Sequence, residues 1–404
     1  MNQKIIALVD GNNFFVSCET VMNPSLKGKP VCVLSNNDGC VIARSNEAKK
    51  LGVAMGMPYF MAKRSFQGVI YLSSNFSLYH ELSQRMMQLL KDYSDKIDIY
   101  SIDEAFLDLT GMNRVFNLSY LELAQKIKND IESNIGLSVS VGISYSKTLA
   151  KLAAHKAKSR NGAYVIEKHL IENELENIPI DEIWGIGRNI ARSLRKYGIF
   201  YAHEILYKDD EFYRAIYGKK GLELKYELSG KSVISLTGIA EKPKSIQRTR
   251  AFPEFTQDRK YIMTELEMHL HNVCKKLREN NMQTELISVM LRTKDFRVFY
   301  REEKLDFKTD SELILIKHVK KMFNSMFKDG IIYRSSGVYA GMLSCSEKVQ
   351  LTLLEDNKSK KTSNLAAVLD KIEDKYGKGA VALGNSGIKS IQEKHKRKMR
   401  FRSV

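Results

Sequence analysis

Continuous apolar runs and helical periodicity alternate along residues 1–165. The runs Lys4–Asp10 and Lys29–Ser35 predict two buried strands, and the first of these ends in an acidic residue. Apolar residues at helical spacing predict helices over Leu78–Tyr93 and Tyr120–Gly136. The period-two segment Leu137–Tyr145 predicts a half-buried strand. This order of elements favours a mixed sheet with helices on one face.

The segment Asp98–Gly111, DIYSIDEAFLDLTG, contains two adjacent acidic residues inside a strand-like run. We interpret it as two strand halves on either side of a tight bend at Ser101–Glu104. Residues 103 and 104 would point to opposite faces of a regular strand, so only a bend brings both side chains to one site. Adjacent carboxylates repel each other, and burying either one without a cation is costly. We therefore expect a basic side chain or a metal ion beside Asp103 and Glu104.

The pattern changes after Asp181, where the chain becomes helical and basic. Residues Ser229–Ser245 show no strong period and predict a linker. A second, small α+β domain is then predicted from helices and strands at Thr256–Arg278, Glu285–Thr293, Ser311–Phe327 and Ser336–Ser344. The last fifty residues have the composition of a partly disordered segment.

The charge balance is the unusual feature of the composition. The chain of 404 residues has 64 Lys plus Arg against 47 Asp plus Glu, a formal net charge of +17 and a pI of about 9.4. Such a surplus favours an anionic partner, either nucleic acid or a membrane surface. The alternative is a generally basic solvated surface.

Cysteine usage and hydropathy argue against zinc-binding, disulfide-linked, secreted and membrane-spanning classes of protein. The five cysteines form no C-x-x-C pair, which argues against a zinc site or a disulfide framework. The N-terminal apolar run is too short for a signal peptide. No apolar run approaches the roughly 18 residues that a membrane span requires. We therefore expect a soluble, cytoplasmic protein with no membrane partner.

Asp10, at the end of the first strand, is a third candidate carboxylate. If its strand neighbours the hairpin of Asp103 and Glu104, three carboxylates converge at one end of the sheet. Hard oxygen ligands in that number suit Mg²⁺. Two such ions roughly 3.5–4 Å apart would support in-line phosphoryl transfer. The alternative is three unrelated surface acids.

Several ordered segments of the chain resemble the Y-family translesion DNA polymerases, and within them the UmuC-like branch, the catalytic subunit of polymerase V. These segments are IALVDGNNFFVSCETV, KGKPVCVLSNNDGCVIARSNEAKKLGV, SSNFSLYHELS, IDIYSIDEAFLDLTG, SVSVGISYSKTLAKLAAHKAK and DEIWGIGRNIARSLRKYGI. The motifs are strong through residue 200 or so and looser beyond it. The segment LSNNDGCVIARSNEAK separates this branch from the DinB-type branch.

The resemblance implies a right-hand polymerase of α+β multidomain class. It implies a ferredoxin-like palm over residues 1–13 and 78–169, fingers over 14–77 and a helix-hairpin-helix thumb over 170–235. A linker over 236–244, a little finger over 245–346 and a C-terminal tail over 347–404 follow.

The resemblance also implies roles for the carboxylates. Asp10 and Asp103 would bridge two Mg²⁺ ions, for which Mn²⁺ could substitute. Glu104 would bind the ion that activates the primer 3′-hydroxyl, and the Gly11 carbonyl would complete the other site. The ring of Phe15 would lie under the incoming sugar and exclude a ribose hydroxyl.

The resemblance implies nucleotide contacts for a further set of side chains. Phe14 belongs to this set because it adjoins the sugar gate, although it is mainly a core residue. The set consists of Phe14, Arg44, Asn46, Lys49 and Lys158. Lys49 replaces an Arg that is common in the family, and Lys cannot form the bidentate fork of Arg. Ala43 and Asn46 stand where DinB-type enzymes have Thr and Tyr. Around Lys49 the chain therefore departs from the triphosphate contacts of the DinB-type pattern.

DNA contacts are expected from the thumb turn and from the little finger. The residues are Gly185, Gly187 and Arg188 in the turn, and Lys244, Arg248, Arg250 and Arg292 on strands of the second domain. A tight interhelical turn and a solvated sheet face are the structural alternatives. The peptide VQLTLLED matches the short motif by which bacterial polymerases hold the sliding clamp, through Gln350, Leu351, Leu353 and Leu354.

The function expected from the resemblance is template-directed, low-fidelity DNA synthesis across damage, within the SOS response, with primer–template DNA and dNTPs as substrates. No segment is available for a proofreading exonuclease. An accessory subunit or a recombinase filament is a conceivable further partner. Two alternatives from other classes stay open at this point: a nucleotidyl cyclase, and a catalytically silent scaffold that binds the clamp and DNA.

Overall fold

The computed structural model describes residues 3–236, 242–345, 368, 370–372 and 375–376. The chain divides into two compact units, Met1–Ala240 and Glu241–Val404. The boundary falls within the stretch predicted as a linker. The first unit contains the acidic segment, and each unit has a hydrophobic core of its own.

The first half of unit 1 alternates strands and helices. In chain order the elements are β1 (Ile6–Gly11), α1 (Phe14–Met22), β2 (Val31–Leu34), β3 (Val41–Arg44), α2 (Asn46–Lys50), α3 (Tyr59–Ser65), β4 (Ile70–Ser73), α4 (Phe76–Leu90), β5 (Ile97–Ile99) and β6 (Glu104–Asp108). The remaining elements are α5 (Met112–Val115), α6 (Tyr120–Ile135), β7 (Val139–Ser144), α7 (Lys147–Ala157), β8 (Ala163–Val165), α8 (Ile171–Leu175), α9 (Arg188–Lys196) and α10 (Asp210–Leu228).

A five-stranded mixed sheet forms the centre of unit 1, in the order β5-β6-β1-β7-β8. All neighbours are antiparallel except β7 and β8, which are parallel. Helices α4 and α6 pack on the face that carries Ala7 and Val9. Helix α7 covers the other face, which carries Ile6 and Leu8.

The expectation that helices cover one face of this sheet is therefore wrong. The run Ile6–Val9 is buried at every position because successive side chains alternate between two covered faces. Helix α7 comes very close to the sheet at Gly142, where a Cβ atom would lie 1.9 Å from the backbone nitrogen of Ala154.

A smaller sheet and a helical region complete unit 1. Strands β3, β2 and β4 form a three-stranded sheet with its own apolar cluster, within residues 14–77. Helices α8 to α10 follow β8 and pack in part against α7. Helix α10 is kinked at Gly218, which has a positive φ of 60°.

Unit 2 is a four-stranded antiparallel sheet with two helices against one face. Its elements are β9 (Ile246–Thr256), α11 (Arg259–Glu279), β10 (Met282–Thr293), β11 (Val298–Thr309), α12 (Glu312–Met326) and β12 (Tyr333–Cys345), with sheet order β11-β10-β12-β9. The sequence pattern predicted β10, β12 and both helices, and the first strand was expected from the resemblance, whereas β11 was missed. That edge strand is mostly exposed, so it lacks the apolar alternation that marks a half-buried strand.

The short described part of the C-terminal tail contacts α11. The Arg278 guanidinium donates two hydrogen bonds to the Asp370 carboxylate, at 2.6 Å and 2.8 Å. Within the described residues, no helix is long and apolar enough to cross a membrane.

Candidate active site

Asp10 and Glu104 lie opposite each other on neighbouring strands. β1 pairs with β6 in a register that places Asp10 against Glu104. Asp10 shares its face of the sheet with Ile6 and Leu8, because side chains alternate along a strand. That is the face covered by α7, so both carboxylates point towards this helix, and their side chains are only 16% and 15% exposed.

Asp103 lies in the loop that joins β5 to β6. The predicted bend is confirmed: β5 ends at Ile99, and the amides of Tyr100 and Ser101 both donate to the Glu104 carbonyl. The Asp103 carbonyl accepts a hydrogen bond of 2.9 Å from the amide of Gly11, which ties the loop to the end of β1. The Ser101 hydroxyl donates to the Asp103 carboxylate.

Helix α7 supplies a lysine to each of three carboxylates on the sheet. Lys151 Nζ lies 2.7 Å and 2.8 Å from the two carboxylate oxygens of Glu104. Lys158, at the C-cap of α7, lies 3.1 Å from Asp10 Oδ2. The third pair joins Lys147 to Asp98 at 2.5 Å.

Lys151 is a residue that the sequence analysis missed. Its spacing from Lys147 and Lys158 is four and seven residues, which places all three side chains on one face of a helix. This spacing was a signal that could have identified Lys151 as a partner for the acidic hairpin.

Burial is the largest influence on Glu104 and raises the pKa of its carboxyl. The Lys151 ammonium opposes this increase, whereas the negative charges of Asp10 and Asp103 add to it. The site therefore concentrates negative charge where water is partly excluded, which favours the binding of a cation.

A cavity of about 260 Å³ opens beside these carboxylates. Its lining includes Asp10, Asp103, Phe15, Arg44, Lys49 and Lys158. The cavity thus has both carboxylates and cations in its wall, and a metal-bound polyphosphate needs groups of both kinds.

The three cations around the cavity repel one another. The pKa of Lys49 is lowered by burial first, and then by the positive charges of Arg44 and Lys158. The Arg44 guanidinium donates a hydrogen bond of 2.6 Å to the Val53 carbonyl, and this bond orients the side chain. A polyanion in the cavity would relieve this repulsion.

Asn46 is placed differently from Lys49. Its side-chain oxygen accepts a hydrogen bond of 3.0 Å from the Asn13 amide group. Asn13 lines the cavity and has a positive φ of 48° at the start of α1. Asn46 therefore holds Asn13 by this hydrogen bond, and Asn13 is the residue of the pair that lines the cavity.

The two adjacent phenylalanines at the start of α1 have different surroundings. Phe14 is 4% exposed in the core of unit 1, although it also borders the cavity. Phe15 stacks on Tyr79 with 4.7 Å between ring centroids and packs edge-on against Phe76. A Cβ atom on Gly11 would lie 2.8 Å from the Phe14 ring, so Gly11 leaves room for that ring.

The predicted thumb turn surrounds the start of α9. Gly185 has a φ of +92°, which favours glycine, whereas Gly187 is the N-cap of α9 with an ordinary φ of −83°. Added Cβ atoms at either glycine would meet nothing within 4 Å, so this turn is open to a partner. Arg188 is the first residue of α9.

The basic residues of unit 2 lie on different surfaces. Arg248 and Arg250 share a face of β9, and it is the face that packs on α11. Burial lowers the pKa of Arg250, and the negative charge of Glu265 on α11 opposes this decrease. Lys244 is exposed just before β9. Arg292 lies on β10, next to Leu291 of the buried core.

The clamp-binding peptide predicted at Gln350, Leu351, Leu353 and Leu354 lies outside the described residues. Among the residues that the structure does describe, no group of three or more His, Cys, Asp or Glu side chains is close enough to hold a metal ion. Glu104 is turned to Lys151 instead. The remaining donors, the carboxylates of Asp10 and Asp103 beside Gly11, are the hard oxygen ligands that suit Mg²⁺, so the residues fit such an ion.

Two family models match the chain. The impB/mucB/samB family matches residues 9–155, and the C-terminal domain of the same family matches residues 243–353. Protein UmuC of Salmonella typhimurium is 35% identical over 98% of this chain and 96% of its own length. DNA polymerase IV 2 of Bacillus subtilis is 29% identical over 94% of each chain.

Solved structures of similar proteins agree with these relatives. A Y-family DNA polymerase chimera of Dbh and Dpo4 has a TM-score of 0.72 and 32% identity, and it covers 84% of this chain and 99% of its own. An insertion ternary complex of Dbh DNA polymerase has a TM-score of 0.54 and 31% identity, covering 83% of this chain and 98% of its own. The multidomain α+β polymerase fold is thereby confirmed. The chain belongs to the impB/mucB/samB family of Y-family polymerases, in its UmuC-like branch, and is a divalent-metal-dependent, DNA-directed DNA polymerase of translesion synthesis.

Proposed function

We propose that Asp10, Asp103 and Glu104 together hold two Mg²⁺ ions for nucleotidyl transfer from a dNTP to a primer. The observation that carries this proposal is the convergence of β1 and the β5–β6 loop on one cavity, with Asp10 and Asp103 both in its wall. Bound Mg²⁺ supplies Lewis-acid activation of the primer 3′-hydroxyl and neutralises charge on the leaving pyrophosphate. Mn²⁺ is an alternative ion with the same ligand preference.

The cations of the cavity bind the triphosphate in this proposal. Lys158, Lys49 and Arg44 surround the space next to the carboxylates. Lys158 pairs with Asp10 in this structure and is 43% exposed, so its ammonium can turn to a phosphate. Phe15 presents its ring to the same cavity and excludes a 2′-hydroxyl from the sugar site.

DNA is held by charge and by open turns rather than by base recognition in this proposal. The net charge of +17 supports binding to a phosphate backbone. Gly185 and Gly187 leave open space where side chains would stand, so a phosphate can approach the backbone of this turn next to Arg188. Lys244, Arg248, Arg250 and Arg292 are proposed to add positive potential from unit 2, with Arg250 acting from a half-buried position.

The domain assignment also enters as a proposal. Residues 1–13 and 78–169 form the palm, 14–77 the fingers, 170–235 the thumb and 245–346 the little finger. The apolar cluster of residues 32–69 lies wholly within the fingers, and the core of unit 2 lies wholly within the little finger, which supports this division. A cytoplasmic location, low fidelity without proofreading, the sliding clamp and an accessory subunit or recombinase filament belong to the same proposal.

The experiment that tests the proposal is primer extension with the purified full chain, Mg²⁺ and dNTPs on plain and abasic templates. We expect Asp103→Asn to reduce the extension rate on the order of 10³-fold, because a metal ligand that stabilises transition-state charge is lost. Asp108→Asn is the matched control on β6, since an amide oxygen can still accept from the Thr110 amide as Asp108 Oδ1 does at 3.0 Å. Equal rates for Asp103→Asn and the wild type would refute the assignment.

A further inference from the structure

Lys151 contacts the acidic site and an aromatic pair at once. Its ammonium contacts both oxygens of Glu104, and it also lies over the rings of Tyr100 and Trp184, at 4.8 Å and 6.0 Å from their centroids. The Lys151 and Glu104 side chains are 27% and 15% exposed. Such a half-enclosed pair is stronger than a surface ion pair, because solvent screens it less.

The aromatic pair is held in place by contacts of its own. Trp184 Nε1 donates a hydrogen bond of 3.0 Å to the Tyr100 hydroxyl, and the two rings meet edge to face. Trp184 also packs on Phe106, which lies two residues beyond Glu104 on β6. Trp184 precedes α9, so these contacts join the acidic hairpin to the helical region that follows β8.

The contacts of Lys151 and Lys158 differ in a way that matters for metal binding. Lys158 approaches a single oxygen of Asp10 at 3.1 Å, whereas Lys151 engages both oxygens of Glu104. Both oxygens of Glu104 are therefore engaged by a cation while this ion pair persists. A divalent ion that recruits Glu104 must compete with the Lys151 ammonium for the same two oxygens.

The aromatic faces can retain the Lys151 ammonium after Glu104 has turned away from it. A cation over a Tyr or Trp ring is attracted by the negative face of the ring, and more strongly where water is partly excluded. Glu104 can thus leave Lys151 without leaving the ammonium unpartnered. The loss of this carboxylate from the ion pair would change the charge next to Trp184, which is the only tryptophan of the chain.

We propose that Lys151 is a positioning residue that holds Glu104 in an ion pair and releases it to the metal site, while its ammonium stays over the rings of Tyr100 and Trp184. This inference rests on the proposed role of Glu104 as a metal ligand. It predicts that Lys151 opposes metal binding, so that its removal strengthens the affinity for Mg²⁺. It also predicts that Trp184 emission reports the release.

The test uses the full chain bound to a primer–template whose primer ends in a dideoxynucleotide, with the matching dNTP. Mg²⁺ is titrated while Trp184 emission and the melting temperature Tm are followed. For the wild type we expect a saturable change in emission. For Lys151→Met we expect that change to be lost, and the Mg²⁺ concentration for half-maximal increase of Tm to fall roughly threefold or more, because the competing cation is gone.

Two variants control this experiment. Lys151→Arg keeps the cation and is expected to retain both the emission change and the wild-type midpoint. Lys156→Met removes a different ion pair of the same helix, that with Glu174, whose lysine is similarly enclosed at 21% exposure. It is expected to behave as the wild type in both measurements. If Lys151→Met does not fold, Lys151→Gln takes its place.

The outcomes separate this inference from the proposed function. An unchanged midpoint and emission response in Lys151→Met would overturn the role of Lys151. Glu104→Gln then identifies which idea failed. If Glu104→Gln raises the Mg²⁺ midpoint, Glu104 is a metal ligand and only the inference about Lys151 is wrong. If Glu104→Gln also leaves the midpoint unchanged, the metal role of Glu104 fails as well.

Discussion

Two adjacent aromatic residues show how strongly the surroundings of a side chain depend on its direction. Phe14 fills space that Gly11 leaves free, in the core under the small sheet. Phe15 turns to the cavity and rests against Tyr79, whose hydroxyl donates to Glu19 at 2.6 Å. Tyr79 is fully buried and its hydroxyl is hydrogen-bonded, so Phe15 rests on a ring that is fixed in place.

Replacement of Phe15 by Ala is expected to relax sugar selection. The supported ring blocks the space of a ribose 2′-hydroxyl, and its removal should raise incorporation of ribonucleotides relative to deoxynucleotides by on the order of 10²-fold. The ratio of kcat/KM for one rNTP and its dNTP measures the effect. Phe76→Ala is the control, because it removes an aromatic neighbour of Phe15 but leaves the Phe15–Tyr79 stack. A selectivity of Phe15→Ala equal to that of Phe76→Ala would contradict the gate.

Helix α7 is the element that connects the core of the sheet to the acidic site. Its alanines, among them Ala150 and Ala154, pack on Ile6, Leu8 and Phe106, and its lysines reach the carboxylates at the strand ends. Small residues on the inner face let the helix lie close to the sheet. Because the helix lies close to the sheet, its lysine side chains reach the carboxylates and form short ion pairs with them.

The contact between α7 and β7 predicts a large loss of stability for Gly142→Ala. The added Cβ would lie 1.9 Å from the Ala154 nitrogen and 2.6 Å from the Ala150 carbonyl oxygen, both backbone atoms that cannot turn away. We expect the free energy of unfolding to fall by about 3 kcal/mol or more in urea denaturation. Gly187→Ala, where the new methyl group meets nothing within 4 Å, should cost less than about 1 kcal/mol. A loss for Gly142→Ala as small as that for Gly187→Ala would show that α7 can shift away from β7 at little cost in stability.

The whole chain combines two units with separate cores and a surplus of positive charge. Residues 346–367, which carry the predicted clamp peptide, follow β12 and precede the residues near Asp370 that contact α11. By its position along the chain this peptide belongs to unit 2, whereas Asp10, Asp103 and Glu104 belong to unit 1. We therefore expect clamp binding and nucleotidyl transfer to be separable.

The double variant Leu353→Ala, Leu354→Ala tests this separation. Loss of two apolar anchors from a short peptide is expected to weaken binding of the sliding clamp by roughly tenfold or more. Primer extension without the clamp should keep its wild-type rate, since neither leucine belongs to unit 1. Leu365→Ala serves as the control outside the motif. Undiminished clamp binding by the double variant, measured by surface plasmon resonance, would eliminate this peptide as the attachment site.

Much of the fold and part of the site could be read from local sequence. The apolar runs at β1 and β2, the period of α4 and α6, and the bend between β5 and β6 are all encoded within a few neighbouring residues. The acidic residues at Asp10, Asp103 and Glu104 are likewise visible without a structure. Strand β11 escaped prediction because an exposed edge strand has little apolar alternation.

Contacts between distant segments needed the folded chain. Glu104 and Lys151 are 47 residues apart, and Asp10 and Lys158 are 148 residues apart, so no local period encodes either pair. A local period also does not show that the second face of the sheet is covered, or that Arg248 and Arg250 face α11. Local patterns determine which residues are apolar, acidic or basic and how they repeat. Packing then determines which of them meet. Two side chains can pair only if their elements lie close together in the folded chain, however far apart they are in the sequence.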